Sequence, residues 1–236
     1  MIQGTIFTNM PRLTTILNRL KGVDTAALCV ADKSSGFQSL QVMSYKMKLR
    51  TRVDDEKMIG IARTIQTRSE DFMAVLRALD EGREGEILCV NTQGSRKAVA
   101  GGLFLREAER RGLSGIIIDG AVRDVGSMSE SKIKCYSTSV NPYSGSILDV
   151  GETQVSILCG GAKIRSGDIV IGDADGIIVA DIESLENIID SAENIVTKEA
   201  EIMDAMKKGQ SLHSLTNYSD HFDKLQRGKE STLKFK

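Results

Sequence analysis

An arginine and an aspartate stand side by side directly after an apolar run, in the segment SGIIIDGAVRD at 114–124. The run GIIID at 115–119 has the length and composition of a short buried strand, so Arg123 and Asp124 are expected just beyond a strand end. There a guanidinium can hydrogen-bond an oxyanion and a carboxylate can hold a divalent cation. Arg123 is therefore a candidate catalytic and substrate-binding residue, and Asp124 a candidate metal ligand. The alternative interpretation is a solvated surface pair.

A Gly-Gly pair at 101–102 precedes a predicted helix that runs to about Arg111. Because glycine has no side chain, a ligand could approach this backbone closely. The N–H groups of Gly102, Leu103 and Phe104 would then face it at the positive end of the helix, where a carboxylate is the expected ligand. Gly101 and these three residues form a candidate substrate-binding site. A tight crossing between helix and strand explains the glycines equally well.

The elements that position these residues follow from apolar periodicity and turn residues. A first helix is predicted after Asn9 and Pro11 and ends at Gly22, and a second is predicted to open at Ser69 and end at Gly82. The strand EILCV at 86–90, the helix that follows the Gly-Gly pair and the strand GIIID form a strand, helix, strand unit.

The second half of the chain has a different pattern. Short apolar strands separated by glycine-bearing turns over 155–181 predict a compact β-meander. After Asp181, a long periodic helix is predicted to pack on this meander and to continue to Gly209. We predict one α/β domain over 1–209, followed by a polar tail over 210–236 that is either loose or an arm on a neighbouring subunit.

Composition excludes several classes of protein. With 31 basic and 32 acidic residues the formal net charge is -1, so no overall field attracts nucleic acid or an anionic membrane. No apolar stretch approaches the roughly 20 residues that span a bilayer, and the N-terminus lacks a signal-peptide core. Tryptophan is absent and aromatic residues make up only 4%, which disfavours a single-strand nucleic-acid binder. We expect a cytoplasmic protein with neither nucleic-acid nor membrane partners.

Thiolate, imidazole and zinc chemistry are also disfavoured. No CxxC pair occurs among Cys29, Cys89, Cys135 and Cys159, and His213 and His221 both lie in the polar tail. Three of the four cysteines stand in apolar runs, where a free thiol packs as a small hydrophobe. Arg123 and Asp124 therefore remain the candidate reactive residues.

Five segments, taken in order, resemble the 4-hydroxy-4-methyl-2-oxoglutarate and 4-carboxy-4-hydroxy-2-oxoadipate aldolases and the related regulator of ribonuclease activity A. They are IGIARTIQT at 59–67, ILCVNTQGSRKAVAGGL at 87–103, GIIIDGAVRD at 115–124, VSILCGGAKIRSGDIVIGDADGIIVAD at 155–181 and KEAEI at 198–202. The ordered occurrence of DGAVRD and GDADGIIV is more specific than either motif alone. The resemblance covers most of residues 20–210.

This resemblance implies an α-β-β-α sandwich that assembles as a trimer or a dimer of trimers, with active sites between subunits. It implies dependence on Mg²⁺ or Mn²⁺, retro-aldol cleavage of 4-hydroxy-2-oxo diacids to pyruvate, and decarboxylation of oxaloacetate. By position, Arg123 would contact the keto oxygen, Asp124 would anchor the metal and the backbone at 101–104 would receive the carboxylate. Glu199, in KEAEI, would act catalytically from a neighbouring subunit, with Glu201 as the other candidate there.

One departure from the family leaves the function open. The aldolases carry an acidic residue where this chain has Gly102, whereas the ribonuclease-regulator branch lacks the aspartate that follows the arginine. The chain therefore matches neither pattern completely. The alternatives to a metal-dependent lyase are a non-catalytic protein-binding regulator, or a divergent lyase or isomerase of a specialised pathway that uses the same enolate-stabilising site.

Other charged residues in the matched segments are expected to have structural roles. Asp168, Asp173 and Asp175 occupy glycine-flanked turns. Asp119 precedes Gly120 at a strand end and is expected to orient the loop of Arg123. Lys97 and Lys163 are expected to be solvated, since a metal-dependent mechanism requires no Schiff-base lysine.

Overall fold

The computed structural model describes residues 10–52 and 57–235, which form helices on the outside of one large sheet. The helices are α1 (Met10–Leu20), α2 (Thr25–Ser35), α3 (Met73–Glu81), α4 (Gly102–Arg110), α5 (Val125–Met128), α6 (Ile182–Lys207) and α7 (Tyr218–Gln226). The strands are β1 (Gln41–Val42), β2 (Lys48–Leu49), β3 (Met58–Gln66), β4 (Glu86–Asn91), β5 (Ala98–Ala100), β6 (Gly115–Val122), β7 (Lys134–Val140), β8 (Glu152–Thr153), β9 (Ile157–Cys159), β10 (Ala162–Ile164), β11 (Ile169–Gly172) and β12 (Ile177–Ala180).

The main sheet has the strand order β1-β12-β11-β3-β4-β6-β7-β2, with β5 paired to β6 and β8 paired to β3. Its centre is parallel, because β3, β4, β6 and β7 all run in one direction, whereas β11 and β12 join antiparallel. Strands buried on both faces consist of nearly continuous apolar residues, as in β4 and β6. The predicted strand, helix, strand unit is confirmed as β4, α4 and β6.

Side chains alternate between the two faces of this sheet and fill separate cores. On the outer face, Leu88 and Val90 pack under α3 and α4, and β11 and β12 pack under α1, α2 and α6. On the inner face, Ile87 and Cys89 pack with the β9–β10 hairpin. The sheet is thus covered by helices on one side and by a β-hairpin on the other, and the predicted α/β class is confirmed.

The predicted helices differ from the structure in two places. The second helix begins at Met73 rather than Ser69, because Glu70 has a left-handed φ of 61° and Asp71 forms a β-bridge with Ser146. Helix α2 was not predicted at all. Its signals were present, since the Asp24 carboxylate accepts from Ala27 N–H at 2.7 Å at the N-terminus and Gly36 ends the helix in the left-handed region.

The region predicted as a meander divides in two. Strands β9 and β10 form their own hairpin, whereas β11 and β12 join the main sheet through β3. Helix α6 is confirmed from Ile182 to Lys207 and packs on β11 and β12. The polar segment after it contains α7, which weak periodicity did not predict.

At the N-terminus, α1 ends at Leu20, two residues before the predicted end at Gly22, and the proposed capping residue Asn9 lies outside the described residues. Within the described parts of the chain, no helix combines the length and the apolar character that crossing a bilayer requires.

Candidate active site

Arg123 and Asp124 lie directly after the carboxyl end of β6, as the sequence predicted. The Arg123 N–H donates to the carbonyl of Ala100 at 3.0 Å, which fixes the pair beside the end of β5. Asp124 has φ 60° and ψ 34°, a left-handed conformation that is uncommon for a residue with a side chain, and it begins the short helix α5. The turn aims both side chains at the N-terminus of α4.

Gly101 allows this close approach. A Cβ atom at this position would lie 2.5 Å from Asp124 Oδ2 and 3.1 Å from Arg123 Cγ. With no side chain there, Asp124 Oδ2 comes within 3.4 Å of the donating Gly102 N–H and 3.5 Å of Arg123 Nε. Both contacts are long, and no hydrogen bond from the described residues reaches Asp124 Oδ1. This carboxylate keeps capacity to bind a cation.

The N-terminus of α4 offers fewer donors than the sequence suggested. The Phe104 N–H donates to the Gly101 carbonyl at 3.0 Å and is therefore already used. The Gly102 N–H has its long contact to Asp124, whereas the Leu103 N–H has no partner among the described residues. A carboxylate bound here would thus rest mainly on Leu103 N–H, with help from Gly102 N–H and the helix dipole.

These groups line a shallow pocket of about 50 Å³. Its walls are Phe72, Ala98, Val99, Ala100, Gly101, Leu103, Phe104, Arg123, Asp124 and Ser144. Phe72 and Phe104 pack edge to face with centroids 5.8 Å apart and form its apolar side. Pockets that enclose a small ligand usually measure roughly 300–1,000 Å³, so this pocket is smaller than such sites.

A buried carboxylate holds the wall that carries Phe72 and Ser144. Asp71 is 2% exposed and accepts hydrogen bonds from Ser146 Oγ at 2.7 Å, Leu148 N–H at 2.7 Å and Met73 N–H at 2.9 Å. Burial alone would raise the pKa of Asp71, but these donors, together with Asp149 N–H, outweigh it and leave the pKa below the ordinary value. The carboxylate therefore fastens the 144–149 loop to the start of α3.

Glu199 is not brought to this pocket within one chain. It lies exposed on α6, which packs on α1, α2 and the β11–β12 strands. No α6 residue is among those that line the pocket described above. Any contribution from Glu199 would require a second copy of the chain, as the resemblance implies.

The other aspartates of the matched segments are occupied elsewhere. Asp119 Oδ2 accepts from Gly160 N–H at 2.7 Å and ties β6 to the β9–β10 turn, so the expectation that it orients the Arg123 loop was wrong. Asp168 accepts from Arg165 N–H at 2.8 Å and Asp173 accepts from Asp175 N–H at 3.0 Å, each within its own turn. Asp173 also accepts from Thr25 N–H and Thr25 Oγ1, both at 2.7 Å. Asp168 and Asp173 thus stabilise turns, as predicted.

Lysine and cysteine side chains add no reactive group to the pocket. Lys97 forms an ion pair with Glu70 at 2.8 Å, and Lys163 is exposed on β10. Burial raises the pKa of Cys135 to about 12. Over residues 10–52 and 57–235, no group of three or more His, Cys, Asp or Glu side chains is arranged to hold a metal ion.

Sequence reasoning missed, among others, Phe72 and Ser144 in the pocket wall and Ser127 beside the pocket. Phe72 and Ser144 reach the pocket because the 144–146 segment pairs with Glu70, Asp71 and Ala98, which are distant in sequence. No local pattern signals such pairing. Ser127 lies one turn after Asp124, where a Cβ atom on Gly102 would overlap its Oγ.

Fold and site together define an α/β protein in which an arginine, an aspartate and a helix N-terminus meet at the carboxyl end of a parallel strand. The Aldolase/RraA family profile matches residues 25–179, about two thirds of the chain. The chain belongs to the RraA-like family. A relative from Halalkalibacterium halodurans, named "Putative 4-hydroxy-4-methyl-2-oxoglutarate aldolase", is 30% identical over 165 residues, which cover 70% of this chain and 76% of that protein.

Solved structures agree with this assignment. The RNA-processing inhibitor RraA from Thermus thermophilis matches with a TM-score of 0.58 and 27% identity over 63% of this chain and 90% of that one. An uncharacterized protein from Pseudomonas syringae pv. tomato matches with a TM-score of 0.73 and 22% identity over 85% and 96% of the two chains, which supports the fold alone. The family therefore contains relatives named as aldolases and a relative named as an inhibitor of RNA processing.

Proposed function

We propose that this protein is a divalent-metal-dependent carbon-carbon lyase that releases pyruvate from a 4-hydroxy-2-oxo diacid, decarboxylates oxaloacetate, or does both. The observation that carries the proposal is the convergence of Arg123, Asp124 and the N-terminus of α4 on one pocket. The aldolase name of the Halalkalibacterium halodurans relative supports the same class of reaction. A 2-oxo acid has the carboxylate and keto oxygens that these groups would bind.

The residues fit the charge that develops in such a reaction. When the bond between C3 and C4 of the substrate breaks, its electron pair moves toward the 2-keto oxygen as an enolate. Arg123, whose guanidinium makes only a long contact to Asp124, would donate hydrogen bonds to that oxygen. A fixed cation aimed at developing charge typically contributes roughly 3–4 kcal/mol. The N–H groups at the start of α4 would hold the substrate carboxylate away from the breaking bond.

A Mg²⁺ or Mn²⁺ ion fits this donor set if the substrate and water complete its shell. Asp124 supplies one carboxylate with a free oxygen, and Mg²⁺ commonly binds through one or two protein carboxylates together with substrate oxygens and water. When bound, the ion would act as a Lewis acid toward the 2-oxo acid. With a single carboxylate from the chain, we expect the ion to be held weakly without substrate.

The proposal includes a homotrimer or a dimer of trimers. A pocket of about 50 Å³ leaves the substrate open to water, and a neighbouring copy would supply the missing wall. Leu103, which lines the pocket, is 82% exposed, and Leu148, in the loop that begins at Ser144, is 90% exposed. In this assembly Glu199 of one copy would accept the proton from the substrate hydroxyl of another.

The direct test is release of pyruvate from 4-hydroxy-4-methyl-2-oxoglutarate and from oxaloacetate, followed with a coupled enzyme. We expect turnover with Mg²⁺ or Mn²⁺ and loss of turnover with EDTA, restored when excess metal is added. Absence of turnover over a broad panel of 2-oxo acids, or turnover that EDTA does not affect, would contradict the proposal. Light scattering on the same sample would measure the oligomer.

A second candidate function is a protein-binding regulator. It is favoured by Gly102, which leaves the site without a second carboxylate, and by the similarity to the RNA-processing inhibitor RraA. A stoichiometric protein partner whose binding is unchanged by Arg123→Ala and Asp124→Asn would support this alternative. Absence of a stable protein partner would argue against it.

A further inference from the structure

Ser127 and Gly102 occupy one space between α4 and α5. A Cβ atom built on Gly102 would overlap Ser127 Oγ, and the next nearest atoms would be Ser127 Cβ at 3.4 Å and Asp124 Cβ at 3.7 Å. Only the hydroxyl oxygen therefore conflicts with a side chain at position 102. Serine at 127 and a side chain at 102 are mutually exclusive unless the hydroxyl rotates away.

The same hydroxyl acts on Asp124. Ser127 Oγ donates to the Asp124 carbonyl at 3.0 Å, and Met128 N–H donates to it at 3.0 Å as well. Asp124 needs such support, because a left-handed conformation costs a residue with a side chain on the order of 1 kcal/mol or more. That conformation is what turns the carboxylate toward the Gly102 N–H.

We propose that Ser127 is the positioning residue for Asp124, with its hydroxyl placed in the space that the missing side chain of Gly102 leaves open. A side chain at 102 would displace the hydroxyl, and the turn at Asp124 would lose one of its two supporting bonds. This inference rests on the proposed function in one respect, namely that Asp124 is the cation ligand. Ser127 itself need not touch the substrate.

Binding of Mn²⁺ alone, measured by titration calorimetry well below the unfolding temperature, tests this role. Ser127→Ala is expected to weaken Mn²⁺ binding about 10-fold, the lower end of what loss of a supporting hydrogen bond costs a metal site. Ser127→Thr keeps the hydroxyl and is expected to retain wild-type affinity. Ser129→Ala is the matched control, because Ser129, directly after α5, makes the same kind of bond from its Oγ to the Gly126 carbonyl at 2.6 Å.

A double-mutant cycle separates displacement of the hydroxyl from independent damage. Gly102→Ala should weaken Mn²⁺ binding to the same extent as Ser127→Ala, and the double variant should be no weaker than either, because both changes remove one interaction. Affinity losses that multiply in the double variant, or wild-type affinity in Ser127→Ala, would overturn the proposal.

Thermal unfolding in EDTA provides a readout that does not depend on metal. Gly102→Ala should lower Tm in the wild-type background. In the Ser127→Ala background the same change should lower Tm by about 2–4 °C less, because the overlap with the hydroxyl, which costs roughly 1 kcal/mol, is absent there. Equal Tm changes in both backgrounds would contradict the shared space. If the wild-type protein binds Mn²⁺ neither alone nor with pyruvate present, the proposed function fails, while the Tm cycle still decides whether the hydroxyl and a side chain at 102 compete.

Discussion

Asp71 and Asp124 flank the same pocket, yet their carboxylates have opposite environments. Asp71 is 2% exposed and its oxygens accept from four donors within its own chain. The Asp124 side chain is 47% exposed and, among residues 10–52 and 57–235, accepts one long hydrogen bond, from Gly102 N–H at 3.4 Å. The fold satisfies the Asp71 carboxylate with hydrogen bonds, whereas the Asp124 carboxylate can still accept a ligand.

This difference separates a carboxylate that serves the structure from one that is available for the proposed chemistry. A buried carboxylate with several donors stabilises the charged form and fixes the backbone groups that reach it. A carboxylate held by a left-handed turn with an unused oxygen gains little for the fold, and such local strain is concentrated at functional sites. Substitutions at the two positions should therefore separate activity from stability.

The largest effect is expected at Arg123, the cation beside Asp124. Arg123→Ala should reduce kcat/KM by roughly 10²–10³-fold, the usual loss when a donor aimed at a developing oxyanion is removed. Pyruvate release measures this. Arg106→Ala, which removes an exposed arginine of α4 paired with Glu130, is the control and should keep full activity. Full activity in Arg123→Ala would remove this residue from the site.

Asp124→Asn is expected to weaken Mn²⁺ binding roughly 10–100-fold, because the amide keeps the shape but not the charge that attracts the cation. Unfolding free energy should change by less than about 0.5 kcal/mol, as is usual for exposed side chains. Calorimetric titration with Mn²⁺ and urea unfolding measure the two quantities. A large loss of stability with unchanged Mn²⁺ affinity would reverse the roles assigned to Asp124 and Asp71.

Asp71→Asn should give the opposite result. Its buried amide would present N–H groups to backbone donors, and an unsatisfied buried donor costs about 1–3 kcal/mol. We expect this loss in urea unfolding, with Mn²⁺ affinity kept at temperatures where the variant is folded. Loss of Mn²⁺ binding in a fully folded variant would mean that the 144–149 loop contributes directly to the cation site.

How far the site could be predicted differs between its residues. The strand GIIID, the turn after it and the Gly-Gly start of α4 are local patterns, so Arg123, Asp124 and Gly101 could be assigned from sequence. Phe72 and Ser144 could not, because β-bridges between distant segments bring them to the pocket. The role of Asp119 was missed for the same reason, since its partner Gly160 lies in another hairpin.

Prediction of the fold from sequence has the same limit. Helix α6 followed from its long apolar stripe, whereas the shorter α2 was missed even though Asp24 and Gly36 provide capping signals. The strands of the second half were recognisable, but which of them join the main sheet depends on pairing with β3. Local patterns predict elements, and long-range hydrogen bonds decide their partners.

The smallest expected effect is the acid sensitivity of Asp71. Its donors lower the pKa of the folded carboxyl below the ordinary value of 3.8. Stability from this group is therefore complete above 3.8 and is lost as pH falls through the folded pKa, where protonation removes the acceptor. The gap in Tm between wild type and Asp71→Asn should narrow as pH falls from neutral to below 3.8.

Ser146→Ala sharpens this comparison, because Ser146 Oγ is the side-chain donor to Asp71, at 2.7 Å. Without that donor the folded pKa should rise toward the ordinary value of 3.8, so less stability should be lost below pH 3.8 and the loss should be complete at a higher pH than in the wild-type protein. Thermal unfolding of wild type and Ser146→Ala over a pH series measures how much stability each protein loses and at which pH the loss is complete. A gap between wild type and Asp71→Asn that stays constant across the series would mean that the carboxylate holds the 144–149 loop by shape rather than by charge.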